Sequence, residues 1–131
     1  MNLGNFGLWL VAAFALWAGW IVFDMSRPVS AVGSASMSMA EVRNSSQPVL
    51  VEFYADWCGP CREVGPVVEA LAGELRGKAK VVRINVDDHR DAAQENGVRG
   101  IPTFIAFKNG RETGREVGAI PKSRMLQLLG L

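Results

Sequence analysis

The first 23 residues contain no aspartate, glutamate, lysine or arginine; all 14 basic and 13 acidic side chains lie at Asp24 or beyond. Cysteine occurs only twice in 131 residues, and histidine once. No basic tract or acidic tail interrupts the chain, the charges alternate in sign, and the formal net charge is +1. That balance argues against a nucleic-acid surface and against a strongly basic partner. A zinc site needs about four ligands, which two cysteines and His89 do not supply; His89, in the polar "DDHR" segment, reads as solvated. No internal repeat is visible. Apolar residues make up 49% and charged residues 21%, enough for a packed core and against wholesale disorder. The length suits one ordinary domain with a short appendage.

The appendage is the uncharged opening. Leu3 to Phe23 is apolar apart from Gly4, Asn5, Gly7 and Gly19. As a helix rising about 1.5 Å per residue it spans roughly 30 Å, the hydrocarbon thickness of a bilayer. A soluble helix keeps a polar face, and a domain of this size has no room to bury one that is apolar all round. Residues 1–25 are therefore read as a membrane anchor or signal-anchor, with Trp9 and Trp20 suited to the interface. The run is too long and too poor in N-terminal charge for an ordinary cleaved signal. Small residues in "SAVGSAS" (30–36) keep cleavage open as the alternative. A very short N-terminal tail before the run resembles a signal-anchor with its C-terminal domain exported, so the domain is expected on the extracytoplasmic side. The flanking charges, Asp24 and Arg27, barely decide orientation.

Residues 26–37, "SRPVSAVGSASM", read as a linker, and residues 38–131 as the folded domain. "SMAE" (38–41) has the form of a capping box opening a short helix that ends near Asn44. "VLVEFYA" (49–55) is apolar at nearly every position, as a strand covered on both faces should be. Val64, Val67, Val68, Leu71 and Leu75 recur at helical spacing over 59–75, with Pro66 inside the run as the place for a kink. "KVVRINV" (80–86) reads as a strand and "RDAAQENG" (90–97) as a short helix stopped by Gly97. "TFIAFKNGRETGREV" (103–117) reads as a hairpin turning at Asn109-Gly110. "PKSRMLQLLGL" (121–131) reads as a closing helix with Pro121 at its first position. The order β-α-β-α-β-β-α implies an α/β fold with one mixed sheet and helices on both faces.

Cys58 and Cys61 form a C-x-x-C at the junction of strand 49–55 and helix 59–75. Cys58 then lies at a helix N-terminus, whose free N–H groups and dipole favour a thiolate. Cys61, one turn on and more buried, is placed to displace a substrate held on Cys58. A purely structural disulfide closing so short a loop would stabilise little, and buried free thiols would not need Gly59-Pro60 between them.

With "RINVDDH", "VRGIPTFIAFKNG" and "EVGAIPK" following in order, "VEFYADWCGPC" resembles thioredoxin, from about Met39 to Leu131. The resemblance implies the thioredoxin fold and protein-disulfide reduction by dithiol exchange, with no cofactor and no metal. It implies catalytic roles for Cys58, Cys61 and Glu52, and active-site support from Trp57, Gly59, Pro60 and Pro102, the last matching the family's cis-proline. Substrate binding would fall to Trp57, Ile101, Val117, Gly118 and Ala119, with the backbone at Ile101 pairing an extended substrate. The implied partners are protein disulfides, a thiol electron donor (a transmembrane reductant or thioredoxin reductase) and the membrane, with no nucleic acid.

Three departures stand out. The family's buried acid is usually aspartate, and here it is Glu52, a candidate for carrying the Cys61 proton. Arg83 stands where the family often has lysine, near that acid. The usual first strand has no convincing counterpart, "PVSAV" (28–32) being too short and linker-like, so four strands are expected, with five as the alternative. The competing functions are a reductant facing the cytoplasm, a signal-cleaved soluble thioredoxin, or a binding module with an idle dithiol.

Overall fold

The computed structural model describes residues 37–131. The expected membrane helix and all but the last residue of the expected linker lie outside them. Among the described residues no helix is long and apolar enough to cross a membrane.

The described chain begins with α1 (Met39–Arg43), opened by the expected capping box: Ser38 accepts from the Glu41 amide and the Glu41 side chain accepts from the Ser38 amide. Strand β1 (Val49–Tyr54) then leads into α2 (Gly59–Glu74). Strand β2 (Lys80–Asn85) and the short α3 (Arg90–Glu95) follow, then the hairpin β3 (Thr103–Lys108) and β4 (Arg111–Val117). Helix α4 (Lys122–Leu129) closes the fold, capped by Gly130 in the left-handed region. Its start differs by one residue from expectation. Pro121 is the extended N-cap, with ψ at 159°, a conformation its fixed φ serves as well as the first helical position. Helix α2 continues through Pro66, whose missing N–H leaves the Arg62 carbonyl without its usual partner.

Among the described residues the sheet has four strands in the order β2-β1-β3-β4, with β1 and β2 parallel and the other pairs antiparallel. Alternation along β1 sends successive side chains to opposite faces. Leu50 packs with Val64, Val68, Leu71, Phe104 and Met125 beneath α2 and α4. Val49, Val51 and Phe53 pack with Val42, Ile84, Ala93 and Ile105 beneath α1 and α3. Coverage of both faces explains the nearly unbroken apolar run of β1. The hairpin turns as expected, with φ of 52° at Asn109 and 76° at Gly110, the left-handed pair a type I′ turn demands. Glu52, on the α2 face of β1, is the ionisable exception in this core.

Candidate active site

The C-terminal end of β1 delivers Cys58 to the N-cap position of α2. Pro60 suits the first turn because no amide partner is needed there, and no acidic residue occupies that turn to oppose a thiolate. Cys58 and Cys61 are joined as a disulfide with Cα atoms 5.2 Å apart. The Cys61 amide points at the Cys58 sulfur from 3.3 Å. Cys61 is fully buried and Cys58 retains a small exposure, 5%, as one turn of separation predicts.

The loop before β3 comes up beside Cys58. Its sulfur lies 3.8 Å from the Ile101 carbonyl oxygen, and the Ile101–Pro102 peptide is cis. Ile101 packs against the cysteine pair. The Gly118 amide donates to the Pro102 carbonyl at 2.7 Å, which ties the end of β4 to this loop. Trp57 and Val117 are the large apolar side chains left most exposed here, at 69% and 65%. The indole N–H of Trp57 donates to Asp87 at 2.9 Å. Cys58, Ile101, Pro102 and Gly118 thus form one connected cluster, with Val117 adjoining; Trp57 is held from the β2–α3 loop, and Ala119 lies exposed next in the chain.

On the other side of Cys61 a cleft of roughly 320 Å³ is lined by Tyr54, Cys61, Gly65, Glu69 and Arg83 among others. Glu52 lies behind it with no solvent exposure, which rules out an edge-exposed strand glutamate. Arg83, its register partner on β2, donates from Nε to Oε2 at 2.6 Å, and Oε1 has no partner at all. Burial pushes the Glu52 carboxyl above its ordinary range; Arg83, by hydrogen bond and charge, pulls it back part of the way, and Glu69 pushes it up slightly. With Oε1 unpartnered and Oε2 on Arg83, Glu52 makes no hydrogen bond to Cys61 in this disulfide state. Arg83 is in turn bonded to Glu69 at 3.2 Å and lies 4.1 Å over the Tyr54 ring. Asp87, Glu69, Tyr54 and Gly65 were not among the residues singled out from sequence. The signal for Asp87 was present, in the repeated acids of "VDDH", but nothing local says that an indole reaches it.

Comparison with known proteins agrees with this geometry. The thioredoxin family model matches residues 31–130. The chain is 50% identical over 97 residues to a thioredoxin of Porphyra purpurea, covering 74% of this chain and 90% of the relative. It is 48% identical over 89 residues to thioredoxin 1 of a Nostoc species, covering 68% and 83%. Among solved structures, Fasciola hepatica thioredoxin superposes with a TM-score of 0.62 at 34% identity, covering 70% of this chain and 86% of that one. A mutant thioredoxin from Halobacterium salinarum gives 0.64 at 36% identity, covering 74% and 84%.

Proposed function

Since the chain belongs to the thioredoxin family and is a protein-disulfide oxidoreductase, we propose that it works as a reductase tethered to a membrane with its domain on the extracytoplasmic side. The observation that carries the chemistry is the Cys58–Cys61 disulfide, set at a helix N-terminus beside the Ile101 carbonyl. In the reduced protein the Cys58 thiolate attacks a substrate disulfide, forming a mixed disulfide and releasing one substrate thiolate, which takes a proton from solvent. Cys61 then loses its proton, and its thiolate attacks the Cys58 sulfur. The Cys58–Cys61 bond forms, the mixed disulfide breaks, and the second substrate thiol leaves. Two electrons pass from the dithiol to the substrate, and a thiol donor returns them.

Glu52 is the base that takes the Cys61 proton. Its raised affinity for a proton and its free Oε1 fit that task, and the cleft between Cys61 and Arg83 is roomy enough for a relaying water. Trp57, Val117 and Ala119 form the exposed rim that a substrate meets, and Ile101 offers its backbone to an extended segment. The tether rests on the uncharged run from Leu3 to Phe23, which precedes the family match. An extracytoplasmic domain in an oxidising compartment draws its electrons from a transmembrane reductant; a domain facing the cytoplasm would draw them from a thioredoxin reductase.

Trapping tests the core of this reading. A Cys61→Ser variant is expected to accumulate mixed disulfides through Cys58, and Cys58→Ser to accumulate few or none. Equal trapping by the two would overturn the assignment of nucleophile and resolver.

A further inference from the structure

Helix α2 has a buried glycine at position 65, an interior site where alanine is the better helix former. The reason for glycine lies across the interface with β2. A Cβ at position 65 would stand 3.2 Å from Nη2 of Arg83 and 3.5 Å from its Cζ and Nη1. The guanidinium would have to move to admit it. It has little freedom to do so, because Nε is bonded to Glu52 at 2.6 Å and the group lies 4.1 Å over the Tyr54 ring. The bond to Glu69 adds less, since that carboxylate is 66% exposed and exposed ion pairs are weak. The place of Arg83 is therefore set by Glu52, by Tyr54 and by the absence of a side chain at 65.

We propose that Gly65 is a positioning residue for the proton transfer: by presenting no side chain it admits the Arg83 guanidinium, which holds Oε2 of Glu52 and leaves Oε1 free to take the Cys61 proton. The role rests on the reading of Glu52 as the proton carrier. Glycine and arginine here form a size-matched pair. The bulk near position 65 belongs to the branched guanidinium, and a lysine ammonium is compact and unbranched, so alanine with lysine is the other combination that fills the same space.

The charged and titratable groups around Glu52 are few. Arg83 faces it from β2, Glu69 and Cys61 belong to α2, Tyr54 lies on its own strand, and Asp56 and Arg62 line the cleft in front of it. Its β3 register partner is Phe104, and α4 brings the apolar Met125 to this face. Arg83 alone among them bonds the carboxylate and favours its ionised form, so displacing it raises the pH at which Glu52 can accept a proton.

The test titrates the Glu52 carboxyl by carbon-13 NMR in the reduced full-length chain. Beside it runs the pH profile of single-turnover resolution of the mixed disulfide formed with an aryl disulfide. Gly65→Ala is expected to raise both midpoints by about one pH unit. Arg83→Gln, which leaves the helix untouched, is expected to raise them likewise, so the idea stays testable if Gly65→Ala folds poorly. Adding Arg83→Lys to Gly65→Ala is expected to bring both midpoints at least halfway back. An unmoved Glu52 midpoint in Gly65→Ala, or a double variant no closer to the parent than the single one, overturns the proposal. A carboxyl midpoint that moves while the rate profile stays put supports the Gly65–Arg83 pairing and overturns instead the role of Glu52 as proton carrier.

Discussion

At the scale of single residues, Glu52 has the most to say. Its carboxyl is fully buried with one oxygen bonded and one unpartnered, and burial outweighs Arg83, so its affinity for a proton exceeds that of an unfolded chain with its value of 4.5. The native state therefore binds the proton more tightly than the unfolded state. The stability this contributes is complete below 4.5 and is lost as pH rises through the raised value. Glu52→Gln keeps the shape and an acceptor for Arg83 but never ionises. It is expected to be more stable than the parent by a margin that widens as pH rises, read from urea midpoints; a margin independent of pH would contradict the linkage. The same variant is expected to slow resolution of a mixed disulfide at neutral pH by about a hundredfold, and unchanged single-turnover rates would remove Glu52 from the mechanism. Burial of this acid was legible in the apolar neighbours of "VLVEFYA". Its partner was placed near it only by the resemblance, because Arg83 is 31 residues away and reaches it through the parallel register of β1 and β2, which no local pattern announces. Gly65 was less legible still: a glycine inside a helical pattern says nothing of what approaches it.

Among the elements, the β3–β4 hairpin was the plainest reading and shows where such readings stop. Asn109-Gly110 announces two left-handed residues, and both are present. What the dipeptide does not announce is that α1 presses on the turn: a Cβ on Gly110 would stand 2.5 Å from the Arg43 carbonyl oxygen. Gly77 has a similar φ of 82° but open space around it. Gly77→Ala thus carries backbone strain alone, expected to lower stability by about 1 kcal/mol. Gly110→Ala adds a backbone collision and is expected to lose more, about 2–3 kcal/mol. Denaturant titration of the two variants checks the order, and equal losses would show that α1 yields to the turn. In the core, Leu71→Ala removes a fully buried side chain from the α2–sheet interface and is expected to lose about 2–5 kcal/mol. The element order and the four-strand count were readable because each strand and helix carries its own period and stop signals. The sheet order β2-β1-β3-β4 was not read, because no single residue announces which strands become neighbours, and the terminal helix slipped by one position because proline fits either side of a helix start.

For the molecule as a whole, the tether proposed above would decide which disulfides the cysteines can meet. A linker of 12 residues reaches about 40 Å when extended, so a retained anchor keeps the domain close to the lipid surface. Protease added outside sealed right-side-out vesicles is expected to degrade the domain, and full protection would turn the protein to face the cytoplasm. A Cys58→Ser/Cys61→Ser variant is expected to lose function in cells, whereas a binding module would survive the change. The sheet ends in two strands, β2 and β4, each with one side unpaired among the described residues. β4 carries Arg111, Glu112, Arg115 and Glu116, and β2 carries Lys80, Arg83 being engaged with Glu52 beneath α2. Copies confined to a surface meet one another far more often than copies dispersed in a volume, and open strand edges are where such meetings lead to aggregation. For a chain tethered as proposed, charge along both borders would let it be crowded into two dimensions and stay a set of separate molecules.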